Sequence, residues 1–314
     1  MNTFDIYVDS GANIPRALEK ERDIHVIPYH IRVNGVEQSC VEESVPFEET
    51  AKAFYAKMRE GAEVQTSLIN TQSFCDALLP SMKEGRDVLL FTISAGISAT
   101  FKQAEEAKKL LEEEFPQRHV YVLDSANASM GEGMLALKAA DLRDMGESAE
   151  AVAKWVEDNT YRLNSYLTVG DLKYLKKTGR ISTTLAIAGT ILNIKPIIKA
   201  DGGAPAKLVF FSKERGRKKA LASLAETYRE RAADHANQTV AICHCDCEED
   251  ANHLAELVRE IGAKEIIMEY YDLCTGAHAG PGTVALFFFG KDRRGTVAPA
   301  AEKQPLAKKI FHRG

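Results

Sequence analysis

Apolar and polar positions along this chain follow two rhythms, one of two residues and one of three to four, and the switches between them predict strands and helices in alternation. Phe4, Ile6 and Val8 alternate with Asp5, Tyr7 and Asp9, which predicts a strand; Ser10-Gly11 breaks it and Pro15 opens a short helix. A second strand is expected over 24–28, and Ile31-Arg32-Val33-Asn34-Gly35-Val36 carries the Asn-Gly signal of a hairpin. Ser44 and Pro46 then begin a helix with Phe47, Ala51, Phe54 and Met58 on one face, a core stripe. Thr66 and Ser67 read as a hydroxyl pair in a loop, ahead of a helix that carries Phe74, Leu78 and Met82. Asp87-Val88-Leu89-Leu90-Phe91 is apolar on consecutive positions, the pattern of a strand buried on both faces of a parallel sheet.

That strand runs into Thr92-Ile93-Ser94-Ala95-Gly96-Ile97-Ser98-Ala99-Thr100-Phe101, a hydroxyl-rich stretch that reads as a binding loop. Gly96 allows close backbone approach or positive φ, and Ser98 stands where an N-cap belongs, before the periodic Phe101, Ala104, Leu111 and Phe115. Hydroxyls, free backbone N–H groups and a helix N-terminus together favour an anion, phosphate or carboxylate. Capping without any ligand accounts for the same residues. A further strand, 119–123, ends in Asp124-Ser125. In a parallel sheet the strand C-termini gather along one edge, so Asp9-Ser10, Thr66-Ser67, Ser94 and Asp124-Ser125 are expected to converge. Two amphipathic helices follow, over 129–145 and 148–160, and a domain boundary is placed near Asn164.

The second half opens with a strand over 165–169 and a basic helix with Leu172 and Leu175. Gly179 then ends that helix, and Ser182 or Thr183 caps another that runs through Leu192. Arg180 lies in the turn between them. Ile194-Lys195-Pro196-Ile197-Ile198 and Leu208-Val209-Phe210-Phe211 form a hairpin around Asp201-Gly202-Gly203. Strands over 239–243 and 265–270 flank a helix over 249–261, and the last strand covers 283–289. Before it, Thr275-Gly276-Ala277-His278-Ala279-Gly280-Pro281-Gly282 reads as a glycine-rich loop holding one histidine.

With 314 residues, 45% of them hydrophobic, the chain can bury a large core, most simply in two domains. Forty basic against 45 acidic residues, a net charge of -5, give no reason to expect nucleic acid as a partner. Lys291, Arg293, Arg294, Lys303, Lys308, Lys309 and Arg313 make residues 291–314 a basic tail, read as solvated, with a transient membrane-surface or partner contact as the alternative. The first residues lack a basic and apolar leader pattern, and no stretch approaches a membrane span, so a cytoplasmic location is expected. Cys243, Cys245 and Cys247 would share one face of a strand, but single-residue gaps do not suit a thiolate metal site, and all six cysteines read as reduced thiols with no metal.

Seven stretches occur in the order characteristic of one family. They are Asp9-Ser10-Gly11-Ala12-Asn13-Ile14-Pro15, Thr66-Ser67 with Phe74 after it, Ser94 through Phe101, Asp124-Ser125, Gly179-Arg180-Ile181-Ser182, Asn193 through Ile198, and His278-Ala279-Gly280-Pro281-Gly282. Over residues 3–290 the chain resembles the DegV family of bacterial fatty-acid-binding proteins. The resemblance implies two α/β domains, 1–164 with a parallel sheet flanked by helices and 165–290 with a mixed sheet, and a ligand between them. It implies a long-chain fatty acid in an apolar tunnel, presented to a separate fatty acid kinase that phosphorylates the carboxylate, with no cofactor and no catalysis by this chain alone. By position, Thr66, Ser67, Ser94, Ala95 and His278 would bind the carboxylate, Ala95 through its backbone N–H. Arg180 would stand at the tunnel mouth, where the kinase engages. The chain departs from the family at Ala95, where a second serine is usual, and at Ala99, where glycine is usual. Its 202–205 segment and basic tail are also longer.

Three other readings compete with a carrier. A serine hydrolase would use Ser94 with His278, but Ser94 lies in no Gly-x-Ser-x-Gly elbow and no acid is placed to orient His278. A nucleotide-dependent transferase lacks a phosphate-binding glycine motif. A regulatory protein that senses an acyl ligand carries the same sequence features as a carrier.

Overall fold

The computed structural model describes residues 4–41, 44–181 and 193–294. The first half is built on β1 (Phe4–Asp9), which pairs in parallel with β2 (Ile24–Ile27) on one side and β6 (Asp87–Thr92) on the other, β7 (Val120–Asp124) completing the sheet beyond β6. Its helices are α1 (Arg16–Glu21), α2 (Phe47–Arg59), α3 (Thr71–Lys83), α4 (Thr100–Glu114), α5 (Met130–Asp144) and α6 (Ala149–Asn159). The alternation in β1 suggests one polar face, yet all six of its residues are buried, because an interior parallel strand is covered on both sides. Asp5 is tolerated there because Arg86 forms an ion pair with it and the Ser81 hydroxyl donates to it at 2.6 Å.

A separate antiparallel sheet, β4 (Val36–Ser39), β3 (His30–Val33) and β5 (Val64–Ser67), lies beside the parallel one. Asn34 and Gly35 both take positive φ in the β3–β4 turn, as the Asn-Gly signal predicts. Thr66 and Ser67 therefore sit at the end of a strand and not in a loop: four residues are too few for a burial rhythm to show, and the strand exists only through pairing with β3.

The second half is a mixed six-stranded sheet in the order β10-β9-β8-β13-β11-β12. Its strands are β8 (Leu163–Thr168), β9 (Ile194–Ala200), β10 (Leu208–Arg215), β11 (Thr239–His244), β12 (Glu265–Tyr270) and β13 (Val284–Phe289). The helices are α7 (Lys173–Lys177), α8 (Arg217–Arg231), α9 (Glu248–Ile261) and α10 (Leu273–Ala279). The expected hairpin is the antiparallel pair β9 and β10. The expected helix through Leu192, with its cap at Ser182 or Thr183, lies outside the described residues, as do the tail lysines from Lys303 on. Arg293 belongs to the tail in sequence but is buried in the structure, only 2% exposed.

Helix α5 joins the halves. Its sequence reads as an ordinary amphipathic helix, but every residue from Met130 to Ala136 is buried, because α5 touches β1 and β6 on one side and β8, β11 and β13 on the other. Helix α10, from the second half, packs in turn on β3, β5 and α2 of the first.

Candidate functional site

Three segments carry the hydroxyls and the histidine to one place. On β5, Thr66 pairs with Ile31 and shares its inward face, while Ser67 turns outward and its hydroxyl donates to His30 O at 3.0 Å. At the end of β6, the Ser94 N–H donates to Asn127 O at 2.8 Å and holds the hydroxyl, 1% exposed, beneath the 201–207 loop. The third segment is α10. Asp272 caps it by accepting from the N–H groups of Cys274 and Thr275 at 2.8 and 3.2 Å, and His278 falls in its last turn. The glycine-rich stretch thus begins as a helix: Gly276 admits the Tyr55 ring, and Gly280, at φ 83, ends the helix.

His278 Nε2 lies 3.0 Å from Thr66 Oγ1, and His278 Nδ1 is buried without a partner among the described residues. If Nε2 carries the hydrogen, the Thr66 hydroxyl hydrogen is free for a ligand; if Nδ1 carries it, that hydrogen is the uncommitted one. Either tautomer leaves one donor. Burial, followed by repulsion from Arg180, lowers the His278 pKa from 6.5 to about 4, so the imidazole is neutral at neutral pH. The positive charge among the lining residues therefore comes from Lys207 and Arg180, the latter turned toward the cavity by a left-handed Gly179 after α7 and donating to Thr178 O.

These residues line a cavity of about 280 Å³ whose wall is largely apolar, with Ile93, Ile97, Leu167, Leu175, Leu208 and Phe287 among its members. Ser67 borders it with its hydroxyl turned outward to His30 O, while Thr66, Ser94, His278 and Arg180 face it. Ala95 does not, and its N–H points to the Asp124 carboxylate at 3.4 Å. Asp9, Ser10, Asp124 and Ser125 also stand back from it and hold the loops that form it. Asp9 accepts from Ile93 N–H and Gly11 N–H, each at 2.8 Å; Ser10 Oγ accepts from Tyr29 N–H at 3.0 Å; and Asp124 accepts from Ala126 N–H at 2.7 Å. Ser98 does not cap α4, which begins at Thr100 after Ala99, although its hydroxyl accepts from Thr100 N–H at 3.2 Å. Gly96 has no positive φ and makes room for protein: a Cβ there would stand 2.0 Å from Ala206 O.

Tyr29, Asn127 and Ser165 face the cavity without having been singled out by sequence. The Tyr29 hydroxyl lies 3.1 Å from Asp9 Oδ2 and 2.9 Å from Thr100 Oγ1, which fits donation to the carboxylate and acceptance from the threonine. Asn127 accepts from the Ser165 hydroxyl and donates to Ser125 O at 3.0 Å. Ser94 and His278 are not partners, since the serine hydroxyl goes to Ala206 O and the imidazole to Thr66, so the Ser94–His278 pair that a serine hydrolase would need is not assembled. Burial pushes the Cys243 and Cys247 thiols up to about 12, which removes them as nucleophiles. No group of three His, Cys, Asp or Glu residues suited to a metal ion occurs among the described residues. Nor is any described helix long and apolar enough to cross a membrane.

A family model described as "Uncharacterised protein, DegV family" matches residues 3–291. A DegV domain-containing protein of Clostridium perfringens is 35% identical over 291 residues, covering 92% of this chain and 98% of its own. Among solved structures, a DegV lipid-binding protein of Thermotoga maritima superposes with a TM-score of 0.80 at 26% identity, covering 93% of this chain and all of that one. The Bacillus subtilis DegV, described as a fatty-acid-binding protein, does so with a TM-score of 0.78 at 28% identity and the same coverage.

Proposed function

The chain belongs to the DegV family, and from that membership we propose that it binds a long-chain fatty acid, with the acyl chain along the apolar wall and the carboxylate at Thr66, Ser94 and His278. The observation that carries this reading is the Thr66–His278 pair at the edge of an apolar cavity, with one uncommitted hydrogen and a buried ring nitrogen that has no partner among the described residues. A carboxylate supplies the missing acceptor, and Arg180 supplies charge without a proton transfer. Each methylene removed from water contributes about 0.8 kcal/mol, so the chain provides most of the affinity and the polar cluster sets its direction. Fatty-acid binding by the Thermus thermophilus and Bacillus subtilis relatives supports the same reading. In this function the chain is a carrier that presents the carboxylate, past Arg180, to a separate fatty acid kinase.

Native mass spectrometry before and after delipidation tests the binding step. A co-purified fatty acid is expected, replaced on incubation by labelled palmitic or oleic acid. A protein that emerges empty and takes up neither acid would overturn the reading. For the presentation step, the delipidated protein reloaded with palmitate should support acyl phosphate formation by a fatty acid kinase with ATP, and Arg180→Ala should slow that step more than it weakens palmitate binding.

A further inference from the structure

The hydrogen of the Ser94 hydroxyl is already in use. It donates to Ala206 O at 2.8 Å, while Ser94 Oγ accepts from Gly96 N–H at 3.2 Å. A hydroxyl has one hydrogen, so Ser94 cannot serve Ala206 and a carboxylate together.

Ala206 lies in the loop between β9 and β10, and that loop is tied down from within and from outside. Within it, Asp201 Oδ1 accepts from the N–H groups of Gly203 and Lys207 at 3.1 and 2.8 Å, and Asp201 N–H donates to Lys207 O at 2.9 Å. From outside, the buried Arg293 guanidinium donates to three carbonyls on three segments: Asp201 in this loop, Leu163 at the start of β8 at 3.0 Å, and Ala126 beside the cavity at 2.7 Å. Arg293 also lies over the Tyr161 ring, 5.0 Å from its centre, and the Tyr161 hydroxyl donates to Gly203 O at 2.9 Å. Gly202 lets the two segments meet, since a Cβ there would stand 2.4 Å from Arg293 O. Ala126 holds a left-handed φ of 50°, unusual without glycine, between the Arg293 guanidinium on its carbonyl and Asp124 on its N–H. The two long departures from the family pattern, the 202–205 segment and the start of the basic tail, are thus one packed unit above Ser94.

We propose that Arg293 is a positioning residue of the ligand site: by fixing the 201–207 loop it makes the Ala206 carbonyl an internal competitor for the Ser94 hydroxyl, so a ligand carboxylate gains Ser94 only as that carbonyl is displaced. This rests on the carboxylate reading of the site. The Ser94–Ala206 bond belongs to the ligand-free state and is given up in the complex, so the contact slows association and weakens binding and acts less on dissociation.

The test is stopped-flow binding of cis-parinaric acid to the delipidated full-length protein. Arg293→Met, checked for folding by circular dichroism, should raise the association rate and lower the dissociation constant by about fivefold or more each, while the dissociation rate moves less than about threefold. Arg293→Lys keeps the charge but not the three-way fork and should fall between. In a Ser94→Ala background the Arg293→Met change should move either rate by less than about twofold, because the contact through which it acts is gone. Gly96→Ala, which drives Ala206 away from the other side, should reproduce the rate signature and covers the case in which Arg293→Met does not fold. Unchanged rates, or the same change with and without Ser94, overturn the proposal. Failure of the wild-type protein to take up any fatty acid would overturn the ligand reading instead.

Discussion

Ser94, Thr66 and His278 contribute differently although they share one cavity. Removing Thr66 and Ser94 together by alanine substitution should weaken fatty-acid binding by about 1.5–3 kcal/mol for each hydrogen bond to the charged group, measured by titration calorimetry. Ser94 should lie at the low end, since it exchanges one acceptor for another. Unchanged affinity would place the carboxylate elsewhere. His278 should titrate near pH 4 in the ligand-free protein. Its folded pKa is depressed, so its contribution to stability is present above the unfolded value of 6.5 and is lost as pH falls toward 4. A carboxylate beside the ring should raise that midpoint. Imidazole chemical shifts followed over pH with and without palmitate decide this, and a midpoint that ignores the ligand would separate His278 from the carboxylate. The hydroxyls and the histidine were legible in sequence because their residue types are chemically distinctive beside strand ends and glycines. Tyr29, Asn127 and Ser165 were not, because their chemistry is ordinary until a distant segment supplies the partner.

The elements that carry these residues are pinned by buried acids. Asp9 holds the β6 loop, Asp272 caps α10, and Glu132 stands on α5 near both. Burial raises the pKa of Asp9 to about 7 and that of Asp272 to about 6, and it pushes Glu132 well above the carboxylate range, with their mutual repulsion adding to the shifts of Asp9 and Glu132. Neither Glu132 oxygen has a hydrogen bond of normal geometry among the described residues, and the nearby Asp9 backbone N–H only partly offsets the cost of burial. These folded values lie above the unfolded ones. The stability they allow is therefore fully present below about pH 4 and is lost as pH rises through 6 and 7. Glu132→Gln removes one titrating group. Its stability advantage over wild type, read from urea unfolding, should grow between pH 5 and pH 8 by up to about 1.4 kcal/mol per unit. A flat difference would show that Glu132 is not part of this linkage. Most elements could be predicted from periodicity, α5 among them, but the burial of α5 and the helicity of α10 were missed for physical reasons. Nothing in the local pattern of α5 shows that two sheets cover it, and seven residues around a central glycine become a helix only through the Asp272 cap and the packing of Tyr55 against Gly276.

At the scale of the whole molecule, the cavity exists only where the two halves meet, with Thr66 and Ser94 from one side and His278, Arg180 and Leu208 from the other. A ligand that spans that junction binds the folded state alone. Saturating palmitate at about 100 times its dissociation constant should therefore stabilise the protein by about 2.7 kcal/mol, visible as a rise in Tm that delipidation reverses. A Tm indifferent to palmitate would argue against a site built from both halves. The sequence by itself determined the α/β class, the order of nearly all strands and helices, and the family, because each follows from local periodicity or from motifs read in chain order. Only the tertiary structure decided that Thr66 belongs to a second sheet, that Ala95 faces Asp124 and not the cavity, and that Arg293 reaches back to the loop over Ser94. Those are contacts between segments 29 to 92 residues apart, and no local pattern encodes a partner at that distance.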